Sequence, residues 1–204
     1  MHLNSRLLFE RYAREHFRGG TKVLEIGPDG RPSTYESIVG DGSIEWDTLD
    51  LREGPGMTFR ATSEYSFPIA DGAYDMVLSG QVIEHVRLIW VWMREVARVC
   101  KAGGLVITIN PVSWPFHQAP VDCWRIYPDG MRALYEDAGL DVLFSRWESL
   151  EATEFSSHLP GRSYPARYRL PWVKDAFRAL GEAGFPVERA YDTVTIGRKQ
   201  AGRP

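Results

Sequence analysis

Apolar and polar positions along the chain follow two alternating periods. Leu3, Leu7, Leu8, Phe9, Tyr12 and Phe17 recur at helical spacing, and Gly19-Gly20 predicts the stop. Lys22-Val23-Leu24-Glu25-Ile26 is a short apolar run that predicts a strand leading directly into the turn Gly27-Pro28-Asp29-Gly30. Ser33, after Pro32, reads as the cap of a short helix reaching Ile38. Ser43 to Leu51 predicts a second strand ending near Asp50, and Tyr74 to Ser79 a third, entered through a turn at Asp71-Gly72. Gln81 to Cys100 has helical periodicity through Ile83, Val86, Ile89, Trp90, Met93, Val96, Ala97 and Val99. Ala102-Gly103-Gly104 is expected to end that helix before a buried-type strand, Leu105 to Ile109. Of Trp90 and Trp92, two apart on one helix, one is expected in the core and the other outside.

A Pro- and aromatic-rich stretch follows from Pro111 to Trp124, then a helix starting at Pro128-Asp129 and stopped at Gly139. Asp141–Trp147 and Tyr191–Ile196 predict two closing strands. The interval between them holds Pro160, Pro165 and Pro171 and a helix near Val173–Leu180. Strands alternating with helices, then a pair of strands, predict an α/β doubly wound sheet. With no repeat and no linker, residues 1–204 read as a single domain, and 148–190 as an insertion in it. Arg162, Tyr164, Arg167, Tyr168 and Arg169 cluster around Pro165 and suit a lid over the cleft, a homodimer contact or a solvated loop.

Composition narrows the class. The 204 residues carry 24 Lys+Arg against 27 Asp+Glu, a net charge of −3, with 44% hydrophobic and 25% charged positions, which fits a globular domain and excludes a disordered chain. That acidity argues against a partner bound mainly through nucleic-acid phosphates. Cys100 and Cys123 alone cannot build a disulfide framework or a Cys-rich zinc module, so a cytoplasmic location is expected. The first residues turn charged too early for a secretory signal, and no run approaches the ~18 apolar residues that cross a bilayer, so no membrane partner is expected.

The turn after the first strand lacks the G-x-G-x-x-G of a dinucleotide site and the Lys of a phosphate loop, which makes a nicotinamide dehydrogenase a distant alternative. Pro28 also removes a backbone N–H where a phosphate cradle needs one. Glu25-x-Gly27 stands there instead, a carboxylate suited to a ligand bearing ammonium and sulfonium charge. About twenty-five residues on, Asp50 ends the second strand, where an acid can take both hydroxyls of a ribose. Phe67-Pro68-Ile69-Ala70-Asp71-Gly72-Ala73-Tyr74-Asp75 and Arg94-Glu95-Val96-Ala97-Arg98-Val99-Cys100-Lys101-Ala102-Gly103-Gly104 complete an ordered set. Over roughly residues 20–145 it resembles the type-11-like class I S-adenosylmethionine-dependent methyltransferases. The resemblance implies a Rossmann-like seven-stranded doubly wound sheet whose last strand is antiparallel. It implies S-adenosylmethionine at the carboxyl ends of the first strands, with Glu25, Gly27 and Gly30 at the methionine part. Asp50 would then take the ribose, Ser63 and Glu64 the adenine, and Ser79 and Gly80 the methionine side again. The usual second glycine of the first motif is Asp29 here, with Gly30 one place late.

Gln81, Glu84 and His85 lie at i, i+3 and i+4 and would share a face at the start of one helix, and His117 comes from a loop opening on the same rim. The set resembles the E-x-x-E-H … H metal site of small-RNA 2′-O-methyltransferases and a similar arrangement in ubiquinone-pathway O-methyltransferases, with Gln81 in place of one acid. It implies Mg²⁺ held by Gln81, Glu84, His85 and His117. An ion of that kind lowers the pKa of a hydroxyl and orients it for in-line attack on a sulfonium methyl. His117, His85 or Glu84 could instead act directly on the proton, since an unperturbed imidazole titrates near ~6.5. The bland alternative is a Glu-His pair packed beside the opening, without metal. His2, His16 and His158 are expected at the surface.

Trp114, Asp122, Trp124 and Arg125 share the loop 114–125, whose aromatic rings and charges suit stacking on a sugar and bonding its hydroxyls. A mutual Asp122–Arg125 pair that merely folds the loop is the competing reading. The loop resembles the P-x-D-x-W-R-x-x-P-x-G-L pattern of methyltransferases from polysaccharide and cell-envelope glycan pathways, and the Ala/Gly/Arg-rich composition and short length resemble an actinobacterial mannoside methyltransferase of methylmannose polysaccharide synthesis. The resulting expectation is an O-methyltransferase acting on a sugar or oligosaccharide hydroxyl. The rivals are an O- or N-methyltransferase of an aromatic or amine metabolite and a non-catalytic cofactor-binding interaction protein.

Overall fold

Met76, Val77 and Leu78 are buried on both faces of the central strand, the pattern a parallel strand needs when helices cover both sides of its sheet. The computed structural model describes residues 3–118, 120–151 and 190–201, with Trp172, Ala176, Ala179 and Ala183. Its strands are β1 (Lys22–Ile26), β2 (Glu45–Asp50), β3 (Phe59–Arg60), β4 (Tyr74–Gly80), β5 (Cys100–Ser113), β6 (Leu140–Glu148) and β7 (Tyr191–Lys199). They form one seven-stranded sheet in the order β3-β2-β1-β4-β5-β7-β6. β3, β2, β1, β4 and β5 pair in parallel, and β7 runs antiparallel to both of its neighbours. The carboxyl ends of β1, β2, β4, β5 and β6 therefore open on one rim, where β7 begins.

The helices are α1 (Leu3–Leu8), α2 (Thr34–Val39), α3 (Ile89–Val99) and α4 (Pro128–Asp137). α1 continues through a π turn, Phe9–Ala13, and a 3₁₀ turn, Arg14–His16. On one face of the sheet Leu8, Phe9 and Tyr35 pack with Val23, Leu78 and Ile107. On the other, Trp92, Met93, Val96, Met131 and Tyr135 pack with Leu24, Val77 and Val106. Each such side chain contributes about 1.5–3 kcal/mol on burial. Ser33 caps α2 as expected, in a reciprocal capping box with Glu36. Trp92 is core and Trp90 is 41% exposed. The expected doubly wound sheet with an antiparallel last strand is the observed one.

Two local expectations are corrected and one strand is added. The helix predicted from Gln81 does not begin there. Gln81 has φ of 59°, Ile83–His85 form a 3₁₀ turn, and α3 starts at Ile89. The backbone N–H of Gln81 bonds Ile109 O and that of Cys123 bonds Glu84 O, tying this segment to the rim instead of to a helix. Ala102-Gly103-Gly104 does not end α3, which stops at Val99; it lies inside β5, at a break in register with β4. Phe59–Arg60, too short to show a period, forms an edge strand that periodicity missed. The helix near Val173–Leu180, the cluster around Pro165, His2 and His158 lie outside the described residues. Among the described residues no helix is long and apolar enough to cross a membrane.

Candidate cofactor cleft and acid–histidine cluster

Where β1 ends, the chain turns at Gly27, whose φ is 70° and whose N–H bonds Leu49 O at 2.9 Å. A Cβ there would lie 2.4 Å from Val82 Cγ2, so both conformation and space call for glycine. Asp29, at the place of the second glycine, accepts from the Thr34 N–H and hydroxyl at 2.9 and 2.6 Å and so supports the start of α2. Gly27 opens onto a cavity of about 290 Å³ that Asp50, Ser63, Glu64, Gln81 and His85 also line. Asp50, at the end of β2, accepts the Arg52 N–H at 2.8 Å, and Ser63 Oγ accepts that of Tyr65 at 3.1 Å. A lining that combines Gly27 with the carboxylates of Asp50 and Glu64 fits a cationic nucleoside ligand with a free ribose diol.

Four residues expected at the cofactor do not line this cavity. Glu25 is buried on the α2 face, where its Oε2 accepts from Ser33 Oγ at 2.5 Å and Trp46 Nε1 at 2.9 Å. Burial pushes its carboxyl up to about 7, although both hydrogen bonds act the other way. Gly30 is exposed. Ser79 is buried, its hydroxyl donating to Ile26 O at 3.3 Å, and Gly80 lies against the ring of Tyr35.

Beside the cavity, Glu84, His85 and His117 each present a ligand atom within 4.8 Å of the others. The rings of His85 and His117 meet edge to face with centroids 4.9 Å apart. Glu84 is 1% exposed, and neither carboxyl oxygen has a hydrogen-bond partner. Burial pushes its carboxyl up to about 8. His85 Nδ1 lies 2.5 Å from Val121 O, which can only accept, so the proton sits on Nδ1 and the lone pair of Nε2 is left toward Glu84 Oε1, 3.7 Å away. Burial also lowers the pKa of His85, which keeps the ring neutral. Raised that far, the Glu84 carboxyl holds a proton at neutral pH that can meet the His85 lone pair; with that proton gone the two acceptors face one another with no donor between them, an arrangement that fits a cation. Gln81 lies next to this group, but its Nε2 donates to Asp192 Oδ1 at 3.0 Å.

The loop after β5 is folded by its own charges. Asp122, its side chain 1% exposed, takes both Arg125 terminal nitrogens at 2.5 and 2.7 Å and the His117 N–H at 2.7 Å. Burial raises its pKa, but these bonds outweigh that and hold the carboxyl below the usual range. Arg125 Nε bonds Trp114 O at 3.2 Å, and the Trp124 indole donates to Val86 O at 2.8 Å. Asp122 and Arg125 therefore pair with each other and set the backbone that presents His117. Sequence reasoning missed Asp192 and Asn4, both fully buried; their only signal was a polar residue inside an apolar pattern.

Residues 42–108 match the model of a methyltransferase domain family. An uncharacterized methyltransferase of Mycobacterium sp. (strain JLS) is 33% identical over 104 residues, covering 47% of this chain and 40% of that protein. Another, from Mycobacterium bovis (strain BCG / Pasteur 1173P2), is 47% identical over 100 residues, 43% of this chain and 38% of that one. The chain thus spans about two-fifths of the length of these curated relatives. A SAM-dependent methyltransferase from Archaeoglobus fulgidus has the same fold, with a TM-score of 0.59, 16% identity and coverage of 95% of this chain and 94% of that one. Residues 42–108 are therefore similar to a methyltransferase domain family, and the seven-stranded sheet has the fold of the Archaeoglobus fulgidus methyltransferase.

Proposed function

We propose that this protein transfers the methyl group of S-adenosylmethionine to a hydroxyl oxygen of a sugar or oligosaccharide, a mannoside being the narrower candidate, with a divalent cation such as Mg²⁺ held by Glu84, His85 and His117. One observation carries the reading: the Glu84 carboxyl, buried without a partner, faces the lone pair of His85 beside the cavity. A carboxyl left this way is costly unless a proton or cation meets it.

Gly27, Asp50, Ser63 and Glu64 would hold the cofactor, which supplies the electrophilic methyl carbon. When bound, the cation polarises the acceptor hydroxyl as a Lewis acid. Val121 O fixes the tautomer of His85 so that Nε2 can bind the cation or accept the acceptor's proton. Asp122 places His117 through its backbone N–H, while Arg125 neutralises the Asp122 carboxylate. Gln81, committed to Asp192 through its nitrogen, leaves the cluster one charge less acidic than a two-carboxylate site.

The test is transfer of a labelled methyl group to free and partly methylated oligomannosides, with and without a chelator, alongside calorimetry with S-adenosylmethionine. Transfer that stops on chelation and returns with Mg²⁺ is expected. Turnover unaffected by chelation would remove the cation. Transfer to amines but to no glycan would remove the acceptor class, and cofactor binding weaker than millimolar would remove the enzyme.

A further inference from the structure

Asn4 and Ser5 are adjacent polar residues, both fully buried in α1. Buried polar groups are retained where partners meet them, and these two reach the same short turn. Asn4 Nδ2 donates to Asp192 Oδ2 at 2.7 Å and to Glu148 O at 2.9 Å, and its Oδ1 accepts the Leu150 N–H at 2.7 Å. The other oxygen of Asp192 accepts from Gln81 Nε2 at 3.0 Å. Ser5 Oγ shares a 2.7 Å hydrogen bond with the Tyr35 hydroxyl. That hydroxyl stands 2.1 Å from where a Cβ on Gly80 would fall. Through Asp192 and Tyr35, α1 therefore grips Gly80 and Gln81 together.

Gln81 is the one non-glycine residue at positive φ among the described residues, a conformation that persists only where its surroundings hold it. Its backbone N–H bonds Ile109 O at 2.8 Å, and its side chain bonds Asp192. The next residues form the turn that carries Glu84 and His85. We propose that Asp192 is a positioning residue of the site: braced by Asn4, it holds Gln81 in its left-handed conformation and thereby aims Glu84 and His85. The catalytic consequence rests on the reading of those two residues given above; the bond network does not.

The chemistry of the pair supplies a test. Two of the groups facing Asp192 are amide donors, one to each of its oxygens, so it must present two acceptors to them. D192N turns an NH₂ group toward one of those donors. Q81E/D192N restores a donor–acceptor pair with the polarity reversed, and the remaining amide oxygen at position 192 still accepts from Asn4. In D192N, kcat is expected to fall about 100-fold, and a crystal structure should show residue 81 out of the positive-φ region. The dissociation constant for S-adenosylhomocysteine should rise by no more than about tenfold, because Asp50, Ser63 and Glu64 are untouched while Gln81, which lines the same cavity, shifts. The double variant should recover the dihedral angle and most of kcat, which general destabilisation would not produce. Positive φ at residue 81 in D192N with kcat intact, or a double variant no better than D192N, overturns the proposal. If D192N does not fold, a double variant that folds and turns over supports it, and one that does neither overturns it. If wild type methylates no acceptor, the methyltransferase reading fails, while the dihedral angle and S-adenosylhomocysteine binding still decide this inference.

Discussion

Glu25 shows how far the role of one side chain depends on the face it takes. Its carboxyl belongs to the α1–α2 side of β1, where burial raises its pKa from 4.5 to about 7 against the bonds from Ser33 and Trp46. The folded protein therefore holds this proton more tightly than the unfolded chain. The associated stability is fully present below about pH 4.5, is lost as pH rises toward 7 and stays lost above it. At roughly 1.4 kcal/mol per pKa unit the loss is of order 3 kcal/mol. E25Q keeps an acceptor for both donors and has no charge to bury. It is expected to be more stable than wild type at pH 8 by an amount of that order, with the advantage gone at pH 4, as read by urea denaturation at the two pH values. The sequence shows an acid in an apolar strand but not which neighbours cover it, so the α2 layer that encloses this carboxyl is not legible from the motif.

The rim turns are the elements on which the site depends. Strand β1, the Ser33 cap and α4 were legible because apolar spacing, a capping residue and a stop glycine agree within a few positions. The segment 81–88 was not. Its helical spacing is real, but hydrogen bonds to Ile109 and Cys123, distant in sequence, override local preference. The clustering of Glu84, His85 and His117 was nonetheless foreseen, because all three lie where β4 and β5 deliver their loops, whatever the turn between them. Gly27 and Val82 link the turn after β1 to this segment. G27A forces a side chain into positive φ at roughly 1–2 kcal/mol and displaces Val82, 2.4 Å from the new Cβ. A drop in S-adenosylhomocysteine affinity of about tenfold is expected, measured by calorimetry, with kcat lowered as well because Val82 leads to Glu84.

At the scale of the molecule, two apolar layers press on a sheet that is most deeply covered along β1, β4 and β5 and thinnest at β3. Backbone amide exchange should follow that gradient. Val77, Leu78, Val106 and Ile107 are expected to exchange slowest, near the limit set by global unfolding. Phe59 and Arg60, on a two-residue edge, should exchange several orders of magnitude faster. Equal protection across these strands, measured by NMR, would contradict the layered account. The alternation of strands and helices made this architecture legible and the family resemblance implied an antiparallel last strand, whereas its place between β5 and β6 was not legible, since period-two patterns are blind to which edge a strand joins.

The wedging of β7 between β5 and β6 has a consequence for biosynthesis. Every other strand leaves the ribosome first, yet β5 and β6 touch in the sheet only through this one. A growing polypeptide halted before Tyr191 would carry two unsatisfied backbone edges and no carboxylate from Asp192 behind Gln81. Assembly of the rim thus waits until β7 has emerged, and a polypeptide stopped before it would be born with sticky edges.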